Sequence, residues 1–169
     1  KFFGLEVGTA SGETVNCVPS ISIRSTYYNP GPGTFSMTAG TTLTLGEASY
    51  LTQTLSGTGA SLFDNVTLFA NASEAVTSTA SFTVFGIFSN ATSGASFTAT
   101  AGTVTFGIAS DTAQSITGSG TNKFFALAIA NTTNEKLTST GSVTIRSSFV
   151  CPSLGAFTMS SAQTMTLGD

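Results

Sequence analysis

The sequence predicts an all-β chain: three tandem four-stranded units, folded as an antiparallel β-sandwich or a prism-like domain with negligible helix. Three observations lead there. The chain resembles itself at a spacing of 61 residues, apolar and polar residues alternate with a period of two, and turn-forming residues separate the alternating runs.

The repeat comes first. KFFGL at residue 1 returns as KFFAL at residue 123. Between them Ile23-Arg24-Ser25 matches Ile145-Arg146-Ser147, Phe35 matches Phe157, and Leu45-Gly46 matches Leu167-Gly168. A middle copy sits halfway: Glu74 lies between Glu13 and Glu135, and Phe106-Gly107 answers Leu45-Gly46. The 169 residues read as one domain with units 1–47, 62–108 and 123–169. Connectors 48–61 and 109–122 join them, and the third unit stops where its own connector would begin. That stop favours a complete chain.

Within the first unit the alternating runs place strands near 2–9, 15–28, 34–39 and 42–46. Phe3, Leu5 and Val7 alternate with Gly4 and Glu6; Ile21 and Ile23 with Ser22 and Arg24; Leu43 and Leu45 flank Thr44. Branched and aromatic side chains pack well on a pleated face. SGE, NPGPG and AG supply the turns. The connectors alternate weakly and can add a strand each. No window shows helical spacing with caps. The inward rows include Leu5/Val66/Leu127, Ile21/Phe82/Val143 and Phe35/Phe97/Phe157.

Composition bounds the function. Charged residues are 8%, far below the ~25% of ordinary soluble domains, so hydroxyls cover the surface. Ser and Thr number 55. Such a chain lacks the charge repulsion that keeps soluble proteins apart, which points to an extracellular assembly or glycoprotein. The net charge of −3 comes without a basic patch, which argues against a nucleic-acid partner. No apolar run approaches the ~18 residues of a membrane-spanning helix. Lys1 is not a start methionine; read as a natural N-terminus, it implies a removed leader and secretion.

With no His, the commonest general base and the Ser-His arrangements are missing. Glu13, Glu74 and Glu135 recur by duplication in turns, so they read as solvated rather than as a catalytic pair. No cofactor or metal motif occurs, and no enzyme is expected. Cys17 and Cys151 are not repeat-equivalent. In a secreted protein they favour a disulfide, within or between chains; two separate thiols are the alternative. Four Asn-x-Ser/Thr sequons, at Asn65, Asn71, Asn90 and Asn131, open the way to covalent glycans. Phe85 and Ile87 stand where the sister units carry Arg24/Thr26 and Arg146/Ser148. A strand apolar on both faces is covered on both sides, either inside the subunit or by another molecule, and the second choice makes Phe85 and Ile87 an assembly interface.

The sequence thus suggests an extracellular, self-assembling subunit of a filament, sheath or surface layer, a homo-oligomer or polymer. The alternative is a secreted carbohydrate-binding or adhesive module, because triplicated four-stranded units resemble prism- and trefoil-like lectins at the level of fold.

Overall fold

The structure, a computed structural model, describes residues 1–8, 10–46, 52–68, 73–107, 113–130, 135–152 and 155–168. Among these residues there is no helix, and the all-β reading holds. The antiparallel sandwich or prism does not. Every strand pairing is parallel, and the chain winds into a β-solenoid of about seven turns. The physical reason is that a wall with one wet and one dry face alternates with period two whichever way its neighbours run. The period reports the faces and is silent on direction.

Each turn lays strands on three walls, read here from the pairings. The first wall stacks the start of β1 (Phe2–Glu6), the start of β3 (Ile21–Asn29), β5 (Thr42–Leu45), β8 (Asn65–Leu68), β11 (Ile87–Ser89), β14 (Ala113–Thr117), β16 (Lys136–Ser139) and β18 (Ala156–Met159). The second stacks the ends of β1 and β3, β6 (Thr52–Gly57), β9 (Ala75–Ser78), β12 (Ser96–Ala99), the starts of β15 (Thr121–Ile129) and β17 (Val143–Val150), and β19 (Met165–Leu167). The third stacks β2 (Thr14–Cys17), β4 (Thr34–Met37), β7 (Ala60–Phe63), β10 (Phe82–Val84), β13 (Thr103–Phe106) and the ends of β15 and β17. The expected strand at 15–28 is therefore two, β2 and β3, and the connectors do contribute strands, β6 and β14.

Alternation fills the interior. In β5, Leu43 and Leu45 are buried while Thr42 and Thr44 face outward. Rings thread the core continuously: Tyr27 meets Phe35 and Phe63, Phe63 meets Phe82, and Phe82 meets Phe97. Phe97 in turn meets Phe88 and Phe124, and Phe124 meets Phe106. Tilted and edge-on ring contacts add to area burial.

The 61-residue repeat is not the turn. Wall partners lie nearer 22 residues apart, as Ile21↔Leu43 and Leu43↔Val66 show. One copy crosses eight wall segments, so its successor starts one wall round, about 2.7 turns on. Ile21 thus lies on the first wall, Phe82 on the third and Val143 on the second. The same local bonds reappear on all three faces. Thr42, Thr103 and Thr164 each donate their N–H to the hydroxyl of Ser20, Ser81 and Ser142, at 2.9, 3.0 and 3.1 Å. Ala162 takes the left-handed backbone, φ 66, where the first copy has Gly40 at φ 81. The units stack along one axis; they do not close around it.

Candidate functional site

Two kinds of surface stand out: the solenoid's two ends and one spot on its outer wall. Among the described residues eight large apolar side chains are exposed, and six lie on the first and last turns. Phe2, Phe3, Val15 and Val18 belong to the first turn; Val150 and Leu167 belong to the last. At one end β1 and β2, and at the other β18, β19 and the end of β17, have a wall neighbour on one side only among the described residues. Such edges present unpaired N–H and C=O groups and are templates for further strands.

On the outer wall, Phe85 is half-buried and Ile87 is 46% exposed. Phe85 lies at the corner between β10 and β11, where its N–H donates to the Phe63 carbonyl at 2.9 Å. Ile87 is flanked on its wall by Ser115. Among the described residues, then, Ile87 stands open on the outer face while Phe85 is covered in part.

Polar clasps join each of the first two units to the connector that follows it. Asn29 is buried, and its amide donates to the Ala60 carbonyl at 3.0 Å and to Ser61 Oγ at 3.3 Å. Asn90 repeats this, donating to the Thr121 carbonyl and to Asn122 Oδ1, both at 3.1 Å. The connector glycines make room: Gly57 and Gly59 pack on Asn29, and Gly118 and Gly120 on Asn90. Thr58 and Ser119 complete each clasp, donating their hydroxyls to the Pro30 and Ala91 carbonyls.

This changes the reading of the sequons. Asn90 is fully buried with its amide nitrogen engaged, so a glycan there is incompatible with the folded chain. Asn65 is half-buried; its Nδ2 donates to Thr41 O and to Asp64 Oδ2, while its Oδ1 accepts the Ile87 N–H. A sugar on Asn65 would break that network. Asn71 and Asn131 lie outside the described residues.

Both cysteines are free thiols. They belong to the same wall at opposite ends: Cys17 ends β2 and Cys151 follows β17, six steps of ~4.8 Å or ~29 Å apart. A disulfide needs Cα atoms within about 7 Å, so the link expected inside one chain is excluded, and within the chain the two are separate thiols. Cys17 also has a structural account. Its thiol donates to the Pro19 carbonyl, as the equivalent Ser78 and Ser139 hydroxyls do to Ala80 and Gly141. Burial pushes the Cys17 thiol above its ordinary pKa, away from the reactive thiolate.

The repeated glutamates are not uniformly solvated. Glu74 is 1% exposed, its carboxyl seated in the space that a side chain at Gly46 would occupy, and neither carboxyl oxygen has a hydrogen-bond partner among the described residues. Burial pushes its pKa from 4.5 up to about 7. The unfolded chain releases this proton near pH 4.5, whereas the fold holds it to about pH 7. Between those values the folded state binds more protons, so stability falls as pH rises and levels off above about 7. The full shift corresponds to about 3 kcal/mol. In urea titrations at pH 4.5 and pH 8, Glu74→Gln is expected to lose about 3 kcal/mol less than the unsubstituted chain. Equal losses would show that Glu74 is not the titrating group.

A cleft of about 620 Å³ crosses successive corners between the first and second walls. Ser119, Thr121, Thr140, Ser142, Gln163 and Thr164 help to line it, and it contains no charged side chain. It therefore lacks the two facing carboxylates of a glycosidase. Among the described residues no cluster of three or more His, Cys, Asp or Glu could hold a metal, and no helix is long and apolar enough to cross a membrane.

No known family, curated protein or solved structure matches the chain.

Proposed function

We propose that this protein is a structural subunit that self-associates into an extracellular filament, sheath or surface layer. The observation that carries the reading is a pair of apolar side chains on the outer wall: Ile87 is 46% exposed and Phe85 half-buried, where the sister units carry Arg24/Thr26 and Arg146/Ser148. Leaving Ile87 exposed on the wall forgoes up to ~1.5–3 kcal/mol of burial. A hydroxyl-covered wall of low charge adds little repulsion between copies. A lateral contact between copies through Phe85 and Ile87 buries both.

Sedimentation and electron microscopy over a range of concentrations test this. Assemblies that grow with concentration are expected, and a chain that stays monomeric when concentrated overturns the reading. Phe85→Arg with Ile87→Thr restores the sister pattern on an outer surface, so the variant is expected to fold and to stay monomeric; a variant that still assembles shows that Phe85 and Ile87 are not the interface.

The cleft favours one second reading, a module that binds neutral glycans through hydroxyls and amides. Isothermal titration with uncharged oligosaccharides, repeated on Ser142→Tyr, which fills the cleft, separates this reading from the first. Heat that the substitution abolishes would support the glycan module, and no heat with either protein would remove it.

A further inference from the structure

We propose that the second wall carries an ice-binding face, an array of threonine and serine hydroxyls that orders water into the lattice of an ice surface. The array lies on β6, β9 and β12, three successive turns with β3 stacked before them and β15 after. It is independent of the assembly reading, whose residues Phe85 and Ile87 lie on other walls.

Stacking brings together residues that the 61-residue repeat keeps apart. Along β6, Thr52, Thr54 and Ser56 face outward while Gln53 and Leu55 are buried. On β9, Ala75 and Thr77 flank buried Val76, and on β12 Ser96 and Thr98 flank buried Phe97. The pairings set Thr52, Ala75 and Ser96 in one rank and Thr54, Thr77 and Thr98 in a second. The ladder then runs one residue further, with the Thr79 N–H donating to the Leu55 carbonyl and the Thr100 N–H to the Ser78 carbonyl. That makes Ser56, Thr79 and Thr100 a third rank. Eight of these nine outward positions are hydroxyls, six of them threonine. The middle rank reaches back a further turn to Thr26.

Neighbouring turns stand ~4.8 Å apart, and alternate residues along a strand ~6.6 Å apart. The nine side chains thus form a grid with two fixed repeats, backed by a packed core. Oxygens at an ice surface also recur in two directions on this scale. Waters bridging hydroxyls on such a grid fall into a net rather than a disordered shell. The hydroxyls are held ready for it. Thr77 donates to the Gln53 carbonyl at 3.3 Å and Thr100 to the Ser78 carbonyl at 3.5 Å, each on the turn before. Those bonds, with branching at Cβ, fix the side chain and leave oxygen lone pairs to accept from water.

Charge gives an independent argument. Between residues 25 and 121 the charged side chains among the described residues are Asp64 and Glu74, and both are buried. An ammonium group holds a tight water shell of its own, and Lys123 ends the middle rank after Thr98. The other walls are less regular. On the first, the rank beside Thr44, Thr67, Ser89 and Thr117 carries Asn65 and Ile87. On the third, Leu62 and Ala128 stand on either side of Thr83 and Thr105. None of the nine positions is aromatic, so a sugar ring has no face to stack on, which favours ice over a crystalline polysaccharide.

Ice itself is the probe. The chain is expected to open a gap between the melting and freezing points of a seeded ice crystal. Thr77→Tyr, at the centre of the grid, is expected to shrink the gap at least fivefold with an unchanged circular dichroism spectrum. Thr105→Tyr, on the third wall, is expected to leave it intact. No gap with the unsubstituted chain, or equal losses from the two variants, overturns the proposal. So does retention on crystalline cellulose or chitin without any effect on ice, which would give the face to a polysaccharide. Should Thr77→Tyr fold poorly, Thr98→Ala trims only the outer surface and is expected to halve the gap; an unchanged gap overturns the proposal. Phe85→Arg with Ile87→Thr is expected to keep the full gap. A gap lost in that variant would tie the effect to assembly and overturn a separate face, whereas a monomeric unsubstituted chain with a full gap overturns the assembly reading alone.

Discussion

Replacing Phe97 by alanine is expected to cost about 3–5 kcal/mol, the largest single loss from any core side chain. Phe97 is fully buried and touches three other rings: Phe88 at 5.0 Å, Phe124 at 5.4 Å and Phe82 at 6.3 Å between centroids. Those rings come from β10, β11 and β15, three different strands on three successive turns. The stacked walls above and below prevent collapse, so the cavity stays. A solenoid is held by contacts between neighbouring turns, which localises the damage. Hydrogen exchange is expected to quicken first in residues 82–106 and later at Ile21–Ile23. Uniform loss of protection, or a cost under about 1 kcal/mol, would show that the ring chain is not the spine of the fold.

Gly57→Ala is expected to be nearly as damaging, at about 3 kcal/mol or more. Gly57 has φ 115, which a residue with a side chain adopts only at ~1–3 kcal/mol of strain. The new Cβ would also meet Asn29 N at 2.8 Å and collide with its carbonyl. The obstacle is backbone, which cannot rotate away, and overpacking adds ~1–3 kcal/mol. Gly118 faces Asn90 in the same way, so Gly118→Ala should match it within error. Urea unfolding of the two variants checks this. A tolerated Gly57→Ala would remove the clasp as a structural joint.

Much of the fold was legible because it is local. The strands near 34–39 and 42–46 fall on β4 and β5, and the inward rows are inward: Val66, Leu127 and Phe97 are fully buried. Leu5 and Phe157 of the same rows are only half-buried because they lie on the end turns. Three features were hidden. The sequon at Asn90 and the clasp at Asn90 are the same letters, and only the strand stacked against it shows the amide to be buried. The glutamates read as solvated turn residues, yet Glu74 is enclosed because Gly46 of the turn before leaves it space. The turn length was also missed. Ile21, Leu43, Val66 and Phe88 form a ladder near 22 residues beneath the stronger signal at 61. That ladder, with Gly57 and Gly118 each following a buried Asn by a little over one turn, was the signal able to reveal the solenoid.

By itself the sequence determined which faces are dry, that strands rather than helices carry them, that the chain is one unit copied three times, and that its surface is hydroxyl rather than charge. These follow from side-chain pattern and composition, which act within a few residues. Only the tertiary structure decided which strands are neighbours and in what direction. Parallel stacking at one turn and antiparallel pairing at a hairpin ask for the same alternation, and the choice depends on loop closure and on contacts between distant residues. Because 61 residues span about 2.7 turns, equivalent side chains end on different walls, and Cys17 and Cys151, which chain position alone allowed to meet, stand at opposite ends of the axis.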